Sequence, residues 1–443
     1  MKKRILVIGG GVTGLCAAYA ERKRGHGVTL IERGSLPGGH IRTHEENGFL
    51  AEEGPSSILV KDKKVLRFFE EIGLSGELVD ALPFAKERFI VRNGRPLPAP
   101  RSPLSFVSSG VLSLRGKLRV FLEPFIGKGI NADESLSSFV NRRLGGEFLD
   151  YLINPFVSGI YAGCPQKLSV KYAFPKLYNL EQRHGSLILG TFHYLKNKSA
   201  DTLLRSRLIS FRSGMQSLPL RLAEVLKENL FFNATPSSIR QINGRWSVSW
   251  GHYQKEFDQI ILCVPCHALL ELPFEPHIST LFSPLQDCHY APVSVVTCGF
   301  EKMKVPHRLN GFGMLVPEKE KLSILGTLFS SSLFPSRAPH GSVTLSTYIG
   351  GARSPSLASL SNDALLSLTL QSLQSLLGIS ANPVFTHISR SPKAIPQYEI
   401  GYKNILNTID SIEKAIPSLF IRGNFRHGIS TCQCIQASLE LSL

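Results

Sequence analysis

Gly9, Gly11 and Gly14 satisfy the spacing G-x-G-x-x-G, and Glu32 stands 18 residues beyond the last of them. Glycines at that spacing suit an anionic ligand. The first permits a tight turn, the second lets the backbone approach a pyrophosphate, and the third allows a helix to pack closely on a strand. A carboxylate about 20 residues further on can accept hydrogen bonds from a ribose hydroxyl pair. A second pair, Gly38-Gly39, follows Glu32-Arg33 closely and can carry another backbone segment past the same phosphates. The chemistry on offer is dinucleotide binding; the alternative is a glycine-rich turn with no ligand.

The flanking elements decide between the two, because the motif needs a strand before it and a helix after it. Residues 4–8, RILVI, are a continuous apolar run, as expected of a parallel strand buried on both faces. LCAAYAERKRG then reads as a helix stopped at Gly25, and GVTLIE as a second strand ending in Glu32. The start of such a helix offers oriented N–H groups and partial positive charge to a phosphate. Further along, residues 62–73 and 218–230 show helical spacing, and residues 86–100 read as two short strands around Asn93-Gly94. Helical patterns dominate from 103 to about 205. RWSVSW and QIILCVP read as strands, residues 290–350 are strand-rich, and 362–378 is a Ser/Leu-rich helix. SLFIRGNFRHGIS predicts a last strand, a glycine turn and a closing helix.

Composition narrows the function classes. The 443 residues are 43% hydrophobic and 19% charged, which describes a folded chain of two or three domains rather than a disordered one. No apolar run reaches the ~18 residues of a membrane-spanning helix. Eight scattered cysteines do not suggest a secreted disulfide scaffold, and the basic start MKKR leads into a glycine-rich strand–turn rather than a cleaved leader. A cytoplasmic location is the expectation. Cys263-x2-Cys266 lies partly in an apolar run and Cys432-x-Cys434 has the wrong spacing for a zinc knuckle, so no metal is expected. His184, His267, His289, His387 and His427 lack metal-ligand spacing and are assigned structural or surface roles. Fifty Lys plus Arg against 34 acids leave +16, which favours nucleic acid, a membrane surface or an acidic small molecule. No nucleic-acid motif accompanies the charge.

Several stretches carry a family resemblance. The run ER-x4-GG-x-I-R-T resembles the second glycine signature of FAD-dependent amine oxidases and their relatives. GGGVTGLCAAYA, GFLAEEGPSS, SGIYAGCPQKLSV, FRSGMQSLPLRL, GFGMLVP, LGTLFSSSLFPSRAP, AIPQYEIGY and RGNFRHGIS together resemble the oxygen-dependent protoporphyrinogen/coproporphyrinogen oxidases of haem biosynthesis. Three departures stand out. Cys164 replaces the usual Asp after YAG, Tyr402 replaces a common His, and Gln433 lies where an Asp usually precedes a Cys.

The resemblance implies non-covalent FAD and a six-electron oxidation of a porphyrinogen to a porphyrin, with dioxygen as acceptor. Protoporphyrinogen IX is the first expectation and coproporphyrinogen III the alternative; an amine oxidase, a desaturase or a nucleic-acid-binding flavoprotein are more distant ones. Cofactor contacts are expected from Gly9, Gly11, Gly14, Glu32, Arg33, Gly38, Gly39, Arg42, the turn Gly54-Pro55-Ser56-Ser57, and Gly428, Ile429 and Ser430. Substrate contacts are expected from Arg88, Phe312, Gly313, Leu315, Tyr348 and Ile395. No protein acid or base is assigned, because the cofactor carries the bond-breaking chemistry.

The implied fold is α/β (α+β overall). A Rossmann-type FAD-binding domain comprises 1–80 with 205–285 and 400–443, and an interleaved mixed-sheet substrate domain comprises 81–102 with 286–399. A helical subdomain takes 103–204. Residues 86–128 hold nine Lys or Arg against two acids, among them Arg115, Lys117 and Arg119 beside Leu, Phe and Val. That pattern reads either as a solvated basic face or as a peripheral surface for the anionic, cytoplasmic face of a membrane. A homodimer is left open.

Overall fold

The computed structural model describes residues 2–131, 133–196 and 206–441. Its five-stranded sheet runs in the order Leu230–Phe231, Gly27–Ile31, Arg4–Ile8, Gln259–Leu262, Leu419–Ile421, all parallel. Ile5, Leu6, Val7, Ile260, Ile261 and Leu262 are wholly buried, which is why these strands read as unbroken apolar runs. The helix Val12–Lys23 packs on the sheet through Leu15, Cys16, Ala17 and Ala18. Three of those are small, so the helices Ser217–Leu226 and Thr431–Leu439 can close against its other sides. The helix expected over 218–230 ends at Leu226. Lys227 and Asn229 take positive φ (39° and 62°) and turn the chain so that Leu230–Phe231 can join the sheet edge.

A seven-stranded sheet runs in the order Phe385–Pro396, Tyr290–Glu301, Ser342–Gly350, Ile324–Leu328, Gly313–Leu315, Phe89–Arg92, Arg95–Pro98. Its pairings are antiparallel except that of Gly313–Leu315 with Phe89–Arg92. The last two strands form a hairpin whose turn residues Asn93 and Gly94 both have positive φ, as an Asn-Gly two-residue turn requires. The Ser/Leu-rich helix Asn362–Leu377 covers one face. Thr369 and Ser372 hydroxyls donate to carbonyls one turn back, so their polar groups are satisfied within the apolar layer.

Between these sheets in sequence lies a set of short helices from Pro103 to Lys196. Their core holds a charge cluster: Arg143, fully buried, pairs with Glu123, while Arg142 joins Glu134 (2.7 Å) and Glu181 (2.8 Å). Residues 197–204 of the expected helical subdomain lie outside the described residues. No helix among the described residues is long and apolar enough to cross a membrane.

Candidate functional site

The glycine turn sits at the end of the strand Arg4–Ile8. Gly9 has φ +109°, and a Cβ there would lie 2.6 Å from the Cys263 carbonyl oxygen. A Cβ on Gly14 would lie 1.9 Å from the Gly9 carbonyl oxygen, so both positions are closed to any side chain. Gly11 is different: a Cβ there would meet nothing within 4 Å, which leaves open space beside the helix start. The Glu32 carboxylate accepts the Gly10 N–H (2.5 Å) and the Gly34 N–H (2.6 Å), which fixes it beside the turn. Each oxygen retains a second lone pair for a ligand hydroxyl. This arrangement of tight turn, open backbone, helix start and anchored carboxylate fits the ADP part of FAD. Arg33 is exposed just beyond the strand.

Gly38 donates its N–H to the Gly10 carbonyl (2.8 Å) and forms a parallel bridge with Gly11, so the second glycine pair lies directly against the first turn. Arg42 donates to the Gly39 (3.3 Å) and Leu36 (3.2 Å) carbonyls and braces that loop. Gly54 packs so tightly that a Cβ would lie 2.0 Å from the His40 carbonyl oxygen, tying Gly54-Pro55-Ser56-Ser57 to the same loop. Ser210 donates to the Ser56 carbonyl (3.2 Å). At the C-terminal end, Ser430 caps the helix Thr431–Leu439 in a reciprocal pair with Gln433. The Gln433 departure therefore has a local role as the third residue of a capping box. A Cβ on Gly428 would meet that Gln433 side chain at 2.4 Å. Ile429 is half-buried against the core. Tyr402 stacks on Tyr398 (4.3 Å) and donates to the Phe425 carbonyl (2.7 Å), and Cys164 faces Gln166 (3.0 Å).

On the seven-stranded sheet, the Arg88 guanidinium lies 4.9 Å from the centre of the Phe312 ring. Among the described residues no carboxylate pairs with Arg88; desolvation, and after it the nearby Arg101 charge, lower its pKa. Leu315, two residues after the buried Gly313, packs on Gly159 of the helix Asn154–Tyr161. Gly313 has φ +146° and a Cβ there would lie 2.3 Å from the Thr327 carbonyl oxygen, so its lack of a side chain is explained by strand packing. Tyr348 and Ile395 share an apolar cluster with Ala162, Ala291 and Leu325. Burial, then the Glu52 charge, raises the Tyr348 phenol, while a hydrogen bond with Ser56 opposes the shift. Tyr348 thus connects the seven-stranded sheet to the Gly54–Ser57 turn. Arg92 is held by Glu147 (2.8 Å) over the Tyr151 ring (4.3 Å), and Arg101 pairs with Glu87.

Glu52 and Arg337 were not singled out in the sequence. Both are buried and ion-paired at 3.0 Å, with Glu52 also accepting the Met215 N–H (2.9 Å) and the Thr43 hydroxyl (2.7 Å). Arg337 further donates to the Ser210 hydroxyl (2.6 Å), so the pair braces the turn that holds Ser56. Burial raises the Glu52 carboxyl and the Arg337 charge opposes it. Glu52 lies in the stretch GFLAEEGPSS and Arg337 in LGTLFSSSLFPSRAP, but neither spacing nor periodicity shows that the two meet. His387 likewise holds Glu53 (3.0 Å) and stacks on His44 (4.1 Å).

A parallel sheet with a glycine turn and an anchored carboxylate, joined to a large, mostly antiparallel sheet, is the architecture expected of a flavin-dependent oxidoreductase. The chain belongs to the flavin-containing amine oxidoreductases, whose family model matches residues 12–432, and within them to the porphyrinogen oxidases. Its relatives include protoporphyrinogen oxidase 2 of Arabidopsis thaliana, 36% identical over 99% of this chain and 92% of the relative. Coproporphyrinogen III oxidase of Bacillus subtilis (strain 168) is 29% identical over 98% and 96%. A crystal structure from Exiguobacterium sp. 255-15, provisionally named a protoporphyrinogen oxidase, superposes with a TM-score of 0.83 at 26% identity, covering 99% of this chain and 97% of that one.

Proposed function

We propose that the protein oxidises protoporphyrinogen IX to protoporphyrin IX in haem biosynthesis, with dioxygen as electron acceptor. The observation that carries the choice of substrate is the Arg88 guanidinium, which has no carboxylate partner among the described residues and is set over Phe312, beside the strand that carries Leu315. An arginine fork matches a propionate bidentately, and an aromatic face beside it suits a tetrapyrrole. Bound FAD supplies two-electron oxidation chemistry, used three times per substrate. Gly9, Gly11, Gly14, Glu32, Arg33, Gly38, Gly39, Arg42, Gly54–Ser57 and Gly428–Ser430 would hold it. Arg88 anchors a carboxylate, Phe312 and Leu315 flank the macrocycle, and Tyr348 and Ile395 keep the flavin side of the slot apolar and dry. The five-stranded and seven-stranded sheets would serve as the cofactor and substrate domains.

Coproporphyrinogen III is the second reading, supported by the Bacillus subtilis relative. Its four carboxylates would call for more cations; of the candidates Arg92, Arg95 and Arg101, Arg92 and Arg101 are already paired with acids of the chain, while Arg95 is exposed and has no carboxylate partner among the described residues. The purified protein should be yellow, and anaerobic protoporphyrinogen should bleach it. A flavin that stays oxidised under those conditions would overturn the reading.

The helical region adds a membrane-facing surface to this reading. Leu104, Leu114, Phe125 and Ile130 are 81, 73, 85 and 100% exposed, with Leu118, Phe121 and Leu122 also bare. Exposed apolar groups among basic ones fit anionic lipid, and a membrane would deliver an apolar substrate. Of the cations expected on that face, Arg119 turns inward to the Arg142 and Arg143 carbonyls, because the helix Leu136–Leu144 leaves those groups unpaired at its end.

A further inference from the structure

We propose that Glu87 limits how many substrate carboxylates the pocket accepts, by neutralising Arg101 and by presenting its own negative charge at the pocket edge. The inference rests on the porphyrinogen reading above and deepens it. The Glu87 carbonyl accepts the Phe312 N–H (2.7 Å), so this residue is locked to the strand that supplies the candidate stacking ring. Its neighbour Arg88 accepts the Ala99 N–H on its own carbonyl (2.7 Å). That bond brings Arg101, two residues further on, to the edge where Arg88 lies over Phe312. Arg101 does not add its charge freely there: its guanidinium is paired with the Glu87 carboxylate, and both side chains are more than 40% exposed. Arg92 is withdrawn in the same way, anchored to Glu147, the Val111 carbonyl and the Tyr151 ring. Beside Arg88, then, Arg101 is matched by an acid of the chain, and at the hairpin end of the same strand Arg92 is matched as well while Arg95 is not.

Specificity of this kind comes from a repulsive element as much as from an attractive one. A substrate with two carboxylates needs few cations and can keep its other pyrroles away from Glu87. A substrate with four carries one on each pyrrole, so more of them approach an edge where Glu87 repels them and Arg101 is already taken.

The test compares kcat/KM for coproporphyrinogen III and protoporphyrinogen IX in the FAD-loaded protein and in E87Q, R101Q and E87Q/R101Q. E228Q serves as control, since Glu228 is exposed beside the far edge strand of the parallel sheet and its loss changes net charge equally. E87Q should raise the ratio of four- to two-carboxylate efficiency threefold or more, through KM, a size in keeping with an exposed ion pair. E87Q/R101Q should return the ratio to within twofold of the starting protein, R101Q alone should lower it, and E228Q should leave it in place. A ratio unmoved in E87Q, or raised in E87Q but not reversed by R101Q, overturns the proposal. R101Q reports independently if E87Q does not fold. Turnover with an unmoved ratio removes only the role of Glu87, whereas a parent flavin bleached by neither porphyrinogen removes the substrate reading as well.

Discussion

At the scale of single residues, Arg88 and Gly14 show two kinds of legibility. Gly14 could be read from spacing alone, because a Cβ 1.9 Å from the Gly9 oxygen is forbidden in any strand–turn–helix of this shape. Arg88 could not: in the sequence it is one of nine basic residues between 86 and 128, and family resemblance singled it out. The structure distinguishes it by a guanidinium over Phe312 with no acid among the described residues to pair it. Arg88→Ala should raise KM for the porphyrinogen about 10-fold or more, as expected for a lost hydrogen bond to a charged group of ~1.5–3 kcal/mol. The kcat should change little if the propionate is held equally in ground and transition states. Arg88→Lys keeps the charge without the planar fork and should fall between. Steady-state kinetics decide this, and an unchanged KM in Arg88→Ala would take the residue out of the pocket.

Among the elements, those read from periodicity formed close to where it placed them, while the strand Phe385–Pro396 and the helix Lys403–Ala415 were not read from it. The helix after Ser217 was the informative miss, since the turn at Lys227 exists to serve an edge pairing that periodicity does not report. The Glu52–Arg337 pair is a larger omission. It joins the strand Phe49–Glu52 to the turn after Ser330–Leu333, and the two residues lie far apart in the chain. Removing one partner leaves an uncompensated buried charge. Arg337→Met should therefore destabilise the protein by about 3–5 kcal/mol, and Glu52→Gln/Arg337→Met by less than the sum of the single changes. Urea unfolding of all three variants measures this. Additive losses would mean that the two side chains act independently. Because Ser210 links Arg337 to the Ser56 carbonyl, the same substitution should also loosen the Gly54–Ser57 turn.

For the whole molecule, the net +16 resolves into local arrangements. Arg142 and Arg143 sit within a buried acid cluster, Arg92 and Arg101 are paired, and Arg88 lies over the Phe312 ring. The exposed Leu114, Leu118 and Phe125 side chains form the apolar part of the proposed lipid-facing surface. The protein should float with vesicles containing anionic lipid and less so with neutral ones. Binding should weaken with added salt, because exposed charges are screened over about 10 Å at 0.1 M. Leu114→Glu with Phe125→Glu should abolish flotation while leaving flavin bleaching in place; failure of the parent protein to float would remove the membrane reading.

The sequence by itself determined the glycine turn, many of the elements and the family, because glycine sterics and hydrophobic period are local in the chain and survive without knowledge of the partners. Only the tertiary structure decided which cations stay free, which acids neutralise the others, and how the Gly54–Ser57 turn is braced. Those outcomes depend on residues such as Glu52 and Arg337 meeting across packed sheets, and the energy of a charge depends on what surrounds it after folding.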